Sequence, residues 1–257
     1  LEMTGEDSSQ FSLRISKDYG NNFSVKPLVV TGDVGTGITS GQTKTITWIP
    51  EPTEQVENAR RYVYRVIADD GGTVDIAEVI AQIDSNRIKK YFDVVYGNNH
   101  PFHADHYAHT RNYLKDHYTD NGYRLYTDQF VTNDRNHPEL LKNGMNILGN
   151  KSGLLSDSTV IMSGHYDNID TTRGADDNNI AVACILESSA VLKDYVFANN
   201  VVYANWDMEE DGLVGATYYS LLPQTKKTKA VINFDGIGIY KTEPNSQKVP
   251  TGFNALF

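Results

Sequence analysis

Three short runs in the second half of the chain constrain the fold more than any other feature. They are STVIMSG (158–164), VVYANWD (201–207) and KAVINFD (229–235). Each is apolar at almost every position rather than at alternate ones, the pattern of a strand covered on both faces. Between the first two lies IAVACILESSAVLKDY (180–195), apolar on nearly every side and so predicted to be a buried helix. Between the last two, GLVGATYYSLL (212–222) reads as another helix. This alternation predicts a three-layer α/β/α domain around a mixed, mostly parallel sheet. Further strands are expected at 123–130 and 145–150. A helix is expected over 104–120, with Tyr107, Tyr113, Leu114 and Tyr118 on one side. In 75–97, Ile76, Val79, Ile80, Ile83, Ile88, Tyr91 and Phe92 recur at helical steps and predict one helix there.

Residues before Gly71-Gly72 follow a different rule. The runs 11–16, 26–30, 44–49 and 62–69 are β-branched and aromatic, and turn formers such as DYGNN and TSGQ separate them. Strands at this spacing with no helix between them predict an all-β sandwich over residues 1–74, with the α/β domain over 75–257. A sandwich of this kind needs about seven strands, and about five can be found. The first residue is Leu1 rather than Met, so the chain is expected to be a mature or excised piece.

The 257 residues carry 33 acidic and 23 basic side chains, a net charge of −10. That balance leaves no basic footprint for nucleic acid or for an anionic membrane surface. No apolar run is long enough to span a bilayer. A single cysteine, Cys184, lies in the buried helical run and is expected to be a core thiol.

In sheets of this type, ligands bind beyond the carboxyl ends of the strands. All three apolar strands end there in residues that can bind metal: GHYD after the first, NWDMEE after the second, NFD after the third. The loop RGADDN enters the buried helix beside them. His165, Asp167, Asp177, Glu209, Glu210 and Asp235 thus come from four segments to one edge. A single acid after a strand is ordinarily a loop or cap residue; four such segments in order are harder to dismiss. Imidazole and carboxylate suit zinc, and a catalytic site leaves a position for water. Adjacent Glu209 and Glu210 can divide the work, one as ligand and one as base. His165 and Asp167, two residues apart on a strand, point to the same side, which would let Asp167 hold the far nitrogen of His165. The histidines at 100, 103, 106 and 109 drift around a helix and read as a solvated loop and helix start rather than a separate metal site. His137, before Pro138, is a loop residue with no partner legible from sequence.

The string GHYD … GADDN … ILE … EEDGLVGA … NFDGIG resembles the zinc aminopeptidases of the M28 family, from about Ile76 to the end of the chain. The resemblance implies an α/β/α domain with a mixed sheet and two zinc ions, acting on peptides or proteins with a free amino end. His165, Asp177 and Asp235 would surround one zinc, and Asp177 would bridge to a second that also takes Glu210. Glu209 would be the general base, passing a proton from a zinc-activated water to the leaving amine. The peptide Asp177-Asn178 is a candidate for the cis geometry. The first 74 residues resemble, more loosely, the fibronectin-type or immunoglobulin-like modules of secreted bacterial enzymes, which implies a secreted or periplasmic setting and leaves the module's partner open.

The sequence departs from the family pattern in one respect. The family has a further histidine ligand for the second zinc downstream of NxD, and here no histidine follows His165. The expectation is a fragment of a longer protein. Two alternatives stay open: a glutaminyl-peptide cyclase, which shares the fold with one zinc, and a binding protein that has kept the fold and lost the chemistry.

Overall fold

The computed structural model describes residues 9–17, 23, 25–39, 43–54, 62–69, 74–154, 158–239 and 243. Its main sheet has five strands: β6 (Arg124–Asn133), β7 (Leu141–Lys151), β8 (Thr159–His165), β9 (Asn200–Trp206) and β10 (Thr228–Asn233), in the order β10-β8-β9-β7-β6. The pairs β10–β8 and β8–β9 are parallel, whereas β9–β7 and β7–β6 are antiparallel. The three apolar runs are therefore the parallel part of a mixed sheet. Their carboxyl ends lie side by side, with Ser163 paired to Asn233 and His165 to Trp206.

Alternate residues of β7 and β9 divide the core in two, as the two-residue period of a strand requires. On one face Ile147 and Tyr203 pack with Leu114 and Tyr118 of α3 (Ala104–Asp120) and with Val182, Ile185 and Leu186 of α4 (Ile180–Leu192). On the other, Leu148, Ile161, Val202, Ala204 and Trp206 pack against Tyr219 of α5 (Val214–Ser220). Ile147, Leu148, Ile185 and Leu186 are fully buried, and each such side chain contributes about 1.5–3 kcal/mol. Gly149 on β7 is required by this packing, because a methyl group there would overlap the Tyr118 ring. Cys184, expected to be a core thiol, is only half-buried.

Two expectations of the α/β region are corrected. The helix predicted over 75–97 is two, α1 (Ile76–Ile80) and α2 (Ser85–Val95). Asp84 breaks it: its side chain caps α2 by accepting from Asn86 N at 2.8 Å, and its own N–H donates to Glu187 of α4 at 2.7 Å. An aspartate that can bond backbone amides in this way competes with helix continuation. The second correction concerns β10, which is an edge strand with exposed Val231 and Ile232 rather than a strand covered on both faces.

The amino-terminal residues form two small sheets. One has the order β3-β1-β5, from β1 (Ser9–Ser16), β3 (Gly35–Ile38) and β5 (Val63–Asp69); the other pairs β2 (Val30–Gly32) with β4 (Ile46–Trp48). The strand expected at 26–30 starts later because Pro27 lacks an N–H for a ladder. The turns expected at 18–22 and around Gly71-Gly72, and the boundary drawn beside the latter, fall on or against residues outside those described.

Candidate metal centre

At the carboxyl edge of the parallel strands the segments converge. His165 closes β8, Glu209 and Glu210 follow β9, Asp235 follows β10, and Asp177 lies in the turn Ala175–Asn179 that leads into α4. His165 Nε2 stands 3.0 Å from Asp177 Oδ1, 3.8 Å from Asp235 Oδ1 and 3.9 Å from Glu209 Oε2. Ligand atoms of His165, Asp177 and Asp235 lie within 4.8 Å of one another, as do those of His165, Glu209 and Glu210. The second grouping sets Glu210 beside His165, whereas the family resemblance implies the two residues ligate different ions. The histidine side chain is 2% exposed, while Asp177 is 62% and Asp235 50% exposed, so the cluster opens outward to solvent.

His165 is held from behind. Its Nδ1 bonds the main-chain carbonyl of Asp167 at 3.0 Å, with the Asp167 carboxylate 3.5 Å away. The orientation expected from sequence is thus met mainly by a backbone oxygen. The carboxylate of Asp167, itself buried, instead accepts from Glu209 N at 3.0 Å and Glu210 N at 3.2 Å. One residue therefore aims the imidazole and anchors the loop carrying both glutamates. That loop is bracketed by Met208 and Leu213, both at positive φ (55° and 61°), a conformation that costs a non-glycine residue about 1–3 kcal/mol and that surrounding contacts must sustain.

The Asp177 turn is fixed by amides. Asn99, fully buried between α2 and α3, donates from its side chain to Asn179 Oδ1 at 2.9 Å, and its N–H donates to Asn168 Oδ1 at 2.6 Å. Gly174 begins the turn at φ +55°, where any side chain would also overlap Asn168. The peptide Asp177-Asn178 is cis, as expected from sequence.

Under the centre lies a network that sequence reading did not single out. Asp207, fully buried, accepts from Tyr107 and Tyr166 hydroxyls, from Arg111 at 2.6 Å and from the N–H groups of Met145 and Met208. In NWDMEE it looks like one more strand-end acid, and the only signal for its role is its place two residues before the glutamate pair. Of the histidines in 100–109, His100 is buried against Lys142 and is not part of a solvated loop; His103 bonds Asp170 at 2.8 Å. His137 lies 3.5 Å from Glu139.

The electrostatics describe a site short of positive charge. Burial pushes the Glu210 carboxyl up to about 7, with the neighbouring Asp177 charge adding to it, and burial likewise raises Glu209. Burial opposes a charged His165, yet Asp167, Glu209 and Asp177 outweigh it and hold the imidazole up to about 9. His165 Nε2 is also buried with no hydrogen-bond partner. With its proton displaced, the imidazole nitrogen and the convergent carboxylates form the donor set that zinc takes, so these residues fit a metal ion. An apolar cleft of about 530 Å³, lined by Ile161, Trp206, Leu213, Ala216 and Val231, opens onto His165, Glu209 and Asp235.

Residues 145–256 match the model of Peptidase family M28. The match supports a peptidase of that family. The aminopeptidase of Pseudomonas aeruginosa strain UCBPP-PA14 is 39% identical over 84 residues, which are 32% of this chain and 16% of that protein. The chain thus matches only a small part of that relative's length. Among solved structures, a Zn-dependent exopeptidase from Parabacteroides distasonis superposes with a TM-score of 0.53 at 17% identity, covering 61% of this chain and 63% of that one. A glutaminyl cyclase from Bacteroides thetaiotaomicron, bound to N-acetylhistamine, gives 0.52 at 18% identity with the same coverage. At such identity these structures establish the α/β fold alone.

Proposed function

We propose that this chain carries the metal centre of a zinc-dependent aminopeptidase that removes residues from the free amino end of peptides. The observation that carries the reading is His165 Nε2, buried and without a hydrogen bond, facing Asp177, Asp235 and Glu209 within 4 Å. His165, Asp177 and Asp235 would hold one ion, and Asp177 with Glu210 a second. Zinc bound there supplies a Lewis acid and lowers the pKa of water toward 7.

The chain's own groups do the rest. Glu209, fixed by its N–H to Asp167, takes a proton from the attacking water and returns it to the leaving amine; its raised pKa suits a group that must accept and release. Asp167 keeps His165 Nδ1 engaged, which leaves Nε2 free to take a metal ion. The apolar cleft gives a substrate side chain surface to occupy beside the reacting carbonyl. The amino-terminal strands we read as an accessory sandwich module, a spacer in a secreted or periplasmic enzyme.

Solved glutaminyl cyclases share the fold, so the deciding assay uses a peptide with an amino-terminal glutamine, followed by mass spectrometry on the full-length protein. Loss of the terminal residue supports the aminopeptidase. Loss of ammonia with the chain length unchanged would replace it by the cyclase reading, and an unaltered peptide panel together with zinc binding would favour a non-catalytic binding protein.

A further inference from the structure

Beside the metal centre, and outside its donor set, lies a buried ion cluster. Lys142 on β7 is 3% exposed, yet its ammonium stands 2.6 Å from Asp134 Oδ2, 2.8 Å from Asp211 Oδ2 and 3.0 Å from His100 Nε2. A buried lysine survives only where its charge is matched and bonded, and here two carboxylates match it. One of them is the residue directly after Glu210.

The cluster joins two pieces of chain that sequence holds far apart. Asp134 organises the tip of the β6–β7 hairpin by accepting from Asn136 N at 2.8 Å and His137 N at 2.6 Å. From the same tip, Arg135 N donates to Asp211 Oδ1 at 3.2 Å, and its guanidinium reaches the Glu210 carbonyl at 3.5 Å. Lys142 lies between the two carboxylates and bonds the hairpin to the loop. The Glu209–Glu210 backbone is thus tied at both ends: to Asp167 through its N–H groups, and to the hairpin through Asp211. The first tie orients both glutamates. The second acts on the side of Glu210, since Glu209 makes no hydrogen bond or ion pair with the cluster among the described residues.

We propose that Lys142, acting through Asp211, is a positioning residue that sets Glu210 in the metal centre. This rests on the metal-centre reading above. His165, Asp177 and Asp235 make no hydrogen bond or ion pair with Lys142, Asp134 or Asp211 among the described residues, so severing the tie weakens the part of the centre that depends on Glu210 and spares the rest.

The test is zinc affinity by competition with a chromophoric chelator, with a thermal melt of every variant. Asp211→Asn cuts the charge tie to the loop and leaves the Lys142–Asp134 pair in place, so the fold is kept. Zinc affinity is expected to fall about 10- to 100-fold, and in a Glu210→Gln background the same change is expected to have less than a threefold effect. Asp134→Asn, which leaves Lys142 on Asp211, is expected to stay within threefold of the native chain. Lys142→Met should reproduce Asp211→Asn and Lys142→Arg should recover most of the affinity. Where Asp211→Asn lowers the melt sharply, its zinc affinity is compared well below its melting temperature, where the variant is folded. Native affinity in folded Asp211→Asn overturns the proposal, and so does an equal loss with and without Glu210. A native chain that binds no zinc removes the metal-centre reading and this proposal with it, a result separate from either of those.

Discussion

The Asp207 network should be the most sensitive point of the α/β domain, and Asp207→Asn tests it with little change of shape. Oδ2 accepts from Arg111, Tyr166, Tyr107 and Met145 N, whereas Oδ1 accepts from Tyr107 and Met208 N. An asparagine would keep its oxygen on the Arg111 side, because an amide NH₂ there would face the guanidinium and the Met145 N–H. Its NH₂ would then confront Met208 N–H, leaving a buried backbone donor unpaired at about 1–3 kcal/mol. The Arg111 side chain, 15% exposed, would lose its counter-charge. Breaking a buried pair by removing one partner costs about 3–5 kcal/mol in all. At about 2–4 °C per kcal/mol for a domain of this size, the melting temperature should fall by about 6–20 °C in circular dichroism. In a double-mutant cycle with Arg111→Met, the two losses should be non-additive by about 1–3 kcal/mol. A fall of less than about 3 °C, or additive losses, would refute the view that this ion pair supports the loop under the glutamates.

Three further outcomes follow from the same structure. Asp167→Asn should lower zinc affinity about 10- to 100-fold in chelator competition while leaving the far-ultraviolet spectrum unchanged, because it loosens both glutamate N–H bonds. Gly149→Ala should destabilise by about 1–3 kcal/mol in urea unfolding, since Tyr118, against which the methyl would press, is fully buried. His117, 7% exposed and bonded to Ser189 Oγ at 2.8 Å, is held by burial down to about 4. The folded chain therefore binds fewer protons there than the unfolded chain between about pH 4 and 6.5, and stability falls as pH falls through that window. Between pH 7 and 5 the native chain should lose about 2 kcal/mol more than His117→Gln.

Much of this site could be read from the sequence because its parts are local. The runs ending in His165, Trp206 and Asn233 are continuous apolar stretches whose register brings their ends together, and strand ends carry their acids with them. Helices α3, α4 and α5 were legible from their apolar patterns for the same reason. What was missed depends on partners distant in sequence: Asp207 meets Arg111 across 96 residues, and Lys142 meets Asp211 across 69. Nothing near Lys142 in LLKNGMN distinguishes it from a solvated lysine on a strand. Asp84 was missed differently, because an apolar period of 3.6 runs through it while its side chain prefers to cap. The exposure of β10 was illegible because an edge strand and a covered one share the same apolar composition.

The most direct test of the account is zinc bound per chain after dialysis against metal-free buffer, for the native protein beside Asp177→Asn. Native protein should retain zinc, and loss of Asp177, shared between both proposed ion positions, should remove most of it. A native chain that emerges without zinc, or an Asp177→Asn variant that holds as much as the native, would contradict the assignment of these residues to a metal centre.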